Sequence, residues 1–120
     1  MYDDTVSTRD IGDQGEELAA EYLLSKGYSI ICRQYRSKRG EIDCIAQDSN
    51  GVIVFIEVKS ANSLKFGNPL HWVTRSKQLT IISMAKQYLY EHKMNTARCR
   101  FDVIAVLQGK INHLKNAFTA

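Results

Sequence analysis

The sequence predicts an α/β fold, a mixed β-sheet flanked by helices in the order α-β-β-β-α-β-β. Three observations predict it. Residues 10–26 and 73–93 repeat apolar side chains at helical spacing. Residues 52–59 and 101–107 are rich in β-branched and aromatic side chains, as buried strands are. Short links join the first three strands and a helix separates the third from the fourth. That order implies an antiparallel meander followed by a strand returned through a crossover.

Each element has its own signal. In the first helix Leu18, Ala19, Tyr22 and Leu23 share a stripe, and Gly27 is the stop. Residues 1–9 before it are expected to be a flexible N-terminal segment. Residues 28–34 and 41–47 read as strands joined through arginine-rich residues and Gly40, and Asp48-Ser49-Asn50-Gly51 is a strong turn signal. Residues 52–59 form the expected central strand, and 60–71, with the sole proline Pro69, a loop. Ile81, Ile82, Ala85, Tyr88 and Leu89 line the apolar side of the second helix. After the strand at 101–107, Gly109-Lys110 turns into a short last strand at 111–114. With 120 residues and no repeat or linker, 1–120 reads as a single domain.

Composition excludes several classes. Hydrophobic residues at 44% and charged residues at 24% argue against disorder. No apolar run is longer than that of 52–56, which is far below the ~20 residues of a membrane-spanning helix. The start, MYDDTVSTRD, is acidic where a signal peptide is basic and then apolar. Cys32, Cys44 and Cys99 are odd in number, widely spaced and lack a CxxC, so a cytoplasmic location is expected and a disulfide framework is not. The net charge of +3 hides an asymmetry. Residues 1–30 hold seven acids and two bases, whereas 31–120 hold 14 bases and six acids. Arg33, Arg36, Lys38 and Arg39 follow one another without an acid, and Arg75 and Lys77 open a second basic stretch. Such clusters either neutralise phosphates or simply face solvent.

Alternation exposes the anomaly. Along 52–59, Val52, Val54, Ile56 and Val58 share one face, and Ile53, Phe55, Glu57 and Lys59 the other. Along 41–47, Ile42, Cys44 and Ala46 share a face opposite Glu41, Asp43 and Ile45. Asp43 and Glu57 therefore interrupt two apolar strands that the turn at 48–51 should pair. An ionised carboxylate there costs several kcal/mol unless it is paired or binds a metal. Two acids on adjacent strands can share one hard divalent cation, Mg²⁺ or Mn²⁺. Lys59, on the face of Glu57, could then orient water or offset charge on a phosphate. The bland alternatives are an ion pair at the strand end for Glu57 and Lys59 and a solvated, turn-adjacent acid for Asp43. Glu41 reads as an outer acid set against Arg36 or Arg39. Glu16 lies about 80° from the middle of its helix stripe, either toward the sheet or as a surface charge near the positive helix end. Lys77 and Gln78 could look inward from the second helix or snorkel at the core margin. Cys44 reads as core filler, and His71 and Trp72 as a packing anchor in preference to a base-stacking platform.

Gly40-Glu41-Ile42-Asp43, followed by Phe55-Ile56-Glu57-Val58-Lys59, resembles the PD-(D/E)XK nuclease superfamily. The chain more closely resembles the YraN-like family of small bacterial proteins, which is similar to Holliday-junction resolvases. The resemblance runs through Gly12-x-x-Gly15-Glu16-x-x-Ala19, Tyr35-Arg36, Phe66-Gly67-x-Pro69 and Lys77-Gln78. It implies a restriction-endonuclease-like core and Mg²⁺-dependent phosphodiester hydrolysis. It makes Asp43 and Glu57 metal ligands and Lys59 the water-positioning base or charge stabiliser. Glu16 becomes the assisting acid, and Lys77, or Gln78 beside it, the polar group of the second helix. Ala61 stands where that family often has a basic residue, Gln34 where asparagine is usual and Cys44 where an aliphatic is usual.

The expected function is thus a metal-dependent endonuclease acting on structured or branched DNA, with Arg36, Lys38, Arg39 and Arg75 meeting the phosphate backbone. A homodimer is expected by analogy, because two symmetric nicks need two active sites. The alternative is a nucleic-acid-binding or DNA-processing partner protein that keeps the nuclease fold without cutting.

Overall fold

A computed structural model of the chain describes residues 8–61, 67–68 and 71–120, and side chains from residue 12 onward. Helix α1 (Thr8–Ser25) precedes strands β1 (Ser29–Ser37), β2 (Gly40–Gln47) and β3 (Ile53–Ala61). Helix α2 (Arg75–Glu91) leads to β4 (Cys99–Leu107) and β5 (Lys110–Phe118). The five strands form one sheet in the order β1-β2-β3-β4-β5, with β3 in the middle. β1, β2 and β3 are antiparallel neighbours, β3 and β4 are parallel across α2, and β5 returns antiparallel. The expected meander and crossover are both present. No helix among the described residues is long and apolar enough to cross a membrane.

Two apolar layers hold the sheet. On one face Ile45, Ile53, Phe55 and Phe101 pack against Ile81, Ile82, Met84, Ala85 and Tyr88 of α2. On the other, Cys44, Ala46, Val54, Ile56, Ile104 and Val106 pack against Ala19 and Leu23 of α1. β3 is buried on both faces, which is why its sequence reads as an almost unbroken apolar run. Cys44 is core filler.

Several boundaries move. α1 starts at Thr8, so of the expected N-terminal segment Thr8 and Arg9 are helical and residues 1–7 lie outside the described residues. β3 continues through Ser60 and Ala61, and Phe66 and Pro69 of the motif also lie outside them. β1 runs on to Ser37, with Gln34 at a positive φ of 55°. β5 is longer than expected. Its polar tail bulges at Asn116 (φ 52°) and then docks Phe118 on Phe101, ring centroids 5.2 Å apart. The expected shared face of Ile42, Cys44 and Ala46 is broken. Ile42 packs in the α2-side layer and the other two in the α1-side layer. The strand alters its facing at Asp43, opposite Gln34 with its positive φ, and the β2–β3 ladder ends at the adjacent Cys44.

Candidate functional site

The β2–β3 ladder is regular from Gln47↔Ile53 to Cys44↔Ile56 and stops there. The next rung would pair Asp43 with Glu57. Instead, the Val58 N–H donates to Asp43 Oδ2 (2.8 Å), so a side chain takes a donor that would otherwise serve the sheet. Glu57 follows Phe55 on the α2 face and is 4% exposed, and Asp43 is half-buried in the opening between the strands. The two carboxyls lie close enough for each to act on the other's ionisation.

Glu16 reaches the same opening from α1. Gly15 makes this approach possible, because a Cβ at that position would land on Ser60 Oγ of β3. Glu16 lies close enough to Asp43 and Gln34 for both side chains to act on its ionisation. Of the two readings of Glu16, the structure therefore selects the one facing the sheet.

The three acids are short of partners. Burial and the neighbouring Asp43 push the Glu16 carboxyl up to about 7. Asp43 rises to about 6, through burial and the neighbouring Glu57, against the opposing pull of Val58 N–H and Glu16. Glu57 is raised by burial despite the nearby charges of Lys77 and Lys59. Carboxyls in contact accept from each other only when one keeps its proton. Lys59 Nζ stands 3.5 Å from Glu57 Oε1, and Glu57 Oε2 is buried with no hydrogen-bond partner among the described residues. Lys77 Nζ donates to the Glu41 carbonyl (3.4 Å) and lies on the α2 side of the opening.

Among the described residues, no group of three or more His, Cys, Asp and Glu is arranged to hold a metal ion as it stands. The fit to Mg²⁺ or Mn²⁺ is therefore one of donor chemistry. Oxygen donors converge, their charge is not neutralised, and one buried oxygen is orphaned.

The remaining expected residues are distributed around the opening. Gln78 turns back on its own helix start. Its Nε2 donates to the Val73 carbonyl (3.1 Å) and its Oε1 accepts from Arg75 (3.0 Å). Arg75 also reaches the Thr119 carbonyl. Lys38 and Arg39 form the β1–β2 turn, and Arg39 donates to Ser83 on α2. Arg36 pairs with Glu41 (3.0 Å), and Arg33 with Glu17 (3.1 Å). These last four residues, with Glu16, line an open cleft of about 610 Å³ that leads to the acids.

A second polar cluster was not foreseen. Asp102, fully buried, accepts from Arg100 Nε (3.0 and 3.2 Å) and from the Asn116 N–H (2.9 Å), and lies 2.7 Å from His113 Nε2. Arg100 continues to Asp48 (2.8 Å) and the Tyr28 hydroxyl (2.7 Å), and His113 Nδ1 to the Tyr22 hydroxyl (3.0 Å). These partners hold Asp102 below the usual carboxylate range despite its burial. The signal was available, since Arg100 precedes Asp102 by two residues on one strand face, as Glu57 precedes Lys59.

Comparison with known proteins adds family membership. Among solved structures, the chain is similar to a chain of the EndoMS-dsDNA2 complex (20% identity, TM-score 0.45, covering 88% of this chain and 41% of that one). It is also similar to a repair endonuclease from Pyrococcus abyssi (20% identity, TM-score 0.40, covering 89% and 41%). The chain thus spans about two fifths of the length of these proteins. Such distant likenesses leave the chemistry to this chain's own residues. A UPF0102 protein of Clostridioides difficile (strain 630) is 44% identical over 115 residues, covering 94% of this chain and all of the relative. Residues 15–106, which include Glu16, Asp43, Glu57, Lys59 and Lys77, match the profile described as "Uncharacterised protein family UPF0102", and the chain belongs to that family.

Proposed function

We propose that this chain is a metal-dependent endonuclease of the restriction-endonuclease-like kind, hydrolysing phosphodiester bonds in structured or branched DNA with Mg²⁺ or Mn²⁺. The observation that carries the proposal is the convergence of Glu16, Asp43 and Glu57 from three elements, short of donors and flanked by Lys59 and Lys77. For stability alone this arrangement is unfavourable, and such costs concentrate at functional sites. A bound divalent cation would supply Lewis-acid polarisation of the scissile phosphate and a water acidic enough to attack it. Asp43 and Glu57 would hold the ion. Lys59 would orient the attacking water or balance charge on the phosphate, Lys77 would add positive charge from the α2 side, and Glu16 would assist from α1. Arg36, Lys38, Arg39 and Arg75 would meet the phosphate backbone. Each chain would supply one site, so symmetric nicking of a junction would require a homodimer.

A non-cutting nucleic-acid-binding protein is the second reading, favoured by the lack of a ready metal-holding group among the described residues. Purified protein incubated with labelled four-way junctions, flaps and single strands separates the two. The expected result is cleavage only with Mg²⁺ or Mn²⁺, reduced at least about 100-fold by Asp43→Asn and by Glu57→Gln. Cleavage that survives both substitutions, or none with either metal, would overturn the endonuclease reading.

A further inference from the structure

Gln34 lies where both strands of the β1–β2 ladder change facing. The pairs on either side of it, Arg33↔Cys44 and Tyr35↔Ile42, put it opposite Asp43. Cys44 packs in the α1-side layer, whereas Ile42 and Tyr35 pack in the α2-side layer. Arg33, Gln34 and Arg36 all line the cleft that Glu16 shares, although strict alternation would send Arg33 and Gln34 to opposite faces. The departure coincides with the left-handed φ of 55° at Gln34. We propose that Gln34 is a positioning residue, whose carboxamide holds the Glu16 carboxyl beside Asp43. The proposal rests on the endonuclease reading and deepens it, by assigning a residue that acts through Glu16.

The residue type does not suit the backbone. A left-handed φ disfavours residues with a Cβ, and glycine adopts it freely. Gln34 is exposed, so burial of its side chain does not offset the cost. If turning the strand were the whole role, glycine would serve it without strain. What glutamine adds is a carboxamide on a two-carbon stem, and backbone strain of this kind gathers at functional sites.

The chemistry of that group fits the place. The flanking guanidiniums are committed elsewhere, Arg33 to Glu17 (3.1 Å) and Arg36 to Glu41 (3.0 Å). Gln34 is close enough to Glu16 to act on its ionisation. Its Nε2 can donate to a carboxylate and its Oε1 can accept from a carboxylic acid, so it orients Glu16 with or without a proton. It is also uncharged. It therefore steadies the acid without neutralising it, and the oxygens keep their charge for a hard cation. A lysine or arginine opposite Asp43 would instead occupy the site with a standing ion pair.

The test compares Gln34→Asn, Gln34→Met and Gln34→Gly with the parent chain. Asparagine keeps the carboxamide and tolerates the backbone. Methionine keeps the length without the polar atoms, and glycine relieves the backbone without a side chain. Three quantities are measured: calorimetric Mn²⁺ affinity of the metal-free chain, kcat and KM for a labelled flap, and the urea midpoint. The methionine and glycine variants should bind Mn²⁺ about tenfold more weakly and lose about tenfold in kcat, with KM unchanged. Asparagine should recover most of both losses, and the glycine variant's midpoint should be no lower than the parent's. In a Glu16→Ala background, Gln34→Met should change Mn²⁺ affinity by less than about twofold, because the group it positions is gone. Unchanged affinity and kcat in the methionine and glycine variants would overturn the positioning role and leave the endonuclease reading standing. So would an undiminished loss in the Glu16→Ala background, or an asparagine variant no better than methionine. No Mn²⁺ binding by the parent chain would overturn both.

Discussion

Two clusters of carboxylates interrupt the sheet, and they are built in opposite ways. Asp102 on β4 is fully buried and saturated, with Arg100, His113 and the Asn116 N–H all directed at its oxygens. Asp43 and Glu57, on β2 and β3, face each other and Glu16, with one backbone N–H, a loose lysine contact and one orphaned oxygen between them. Ionisation follows the partners. Asp102 is held below the usual carboxylate range, whereas Glu16, Asp43 and Glu57 are all pushed above it. Burial of an acid alone therefore signals nothing about chemistry. What distinguishes a strut from a site is whether the fold supplies the compensating donors.

The largest effect expected from this contrast is at the strut. Asp102→Ala strands Arg100 and His113 and should cost about 3–5 kcal/mol in denaturant unfolding. A loss below ~1 kcal/mol would mean that the network is dispensable and the contrast false. Next, Asp43→Asn removes a charge from a crowded site and keeps an oxygen for the Val58 N–H. It should raise stability by about 1–2 kcal/mol while abolishing cleavage. Destabilisation instead would show the acid to be structural.

The pH dependence should have opposite signs at the two clusters. A depressed acid such as Asp102 contributes stability above its unfolded value of about 4, and that contribution is lost as pH falls through its folded value. Glu16 and Asp43, raised to about 7 and about 6, keep protons in the folded chain that the unfolded chain has released. Their effect is a fall in stability as pH rises from about 4 to about 7. A Glu16→Gln, Asp43→Asn double variant should flatten that fall while the acid limb of the stability curve persists. The smallest effect belongs to the rim. Glu17→Gln or Arg33→Gln breaks an exposed pair and should change stability by less than ~0.5 kcal/mol.

Much of this was readable from sequence, because β3 and α2 carry strong periodicity and both layers of the core follow from it. Asp43 and Glu57 were found because each breaks an apolar alternation. Two features were not readable. The change of facing at Asp43 falls opposite Gln34, whose φ is positive, on the neighbouring strand, a tertiary pairing with no mark in local pattern. The length of β5 was hidden because its tail is polar and bulged, held by Asp102 accepting from Asn116 and by Phe118 on Phe101. Asp102 itself broke an apolar run as plainly as Glu57 did. Besides Arg100 on its own strand, its partners come from β5, and Arg100 is itself held by Asp48 from the turn after β2, so only the assembled sheet tells the two clusters apart.

The most direct test of the central claim, that three under-satisfied acids form a cation site, is calorimetric titration of the metal-free chain with Mn²⁺ near pH 6.5 in buffers of different ionisation enthalpy. The account predicts saturable binding with net proton release as Glu16 and Asp43 give up their protons, and loss of both signals in Asp43→Asn. Binding without proton release, or binding unaltered by that substitution, would contradict it.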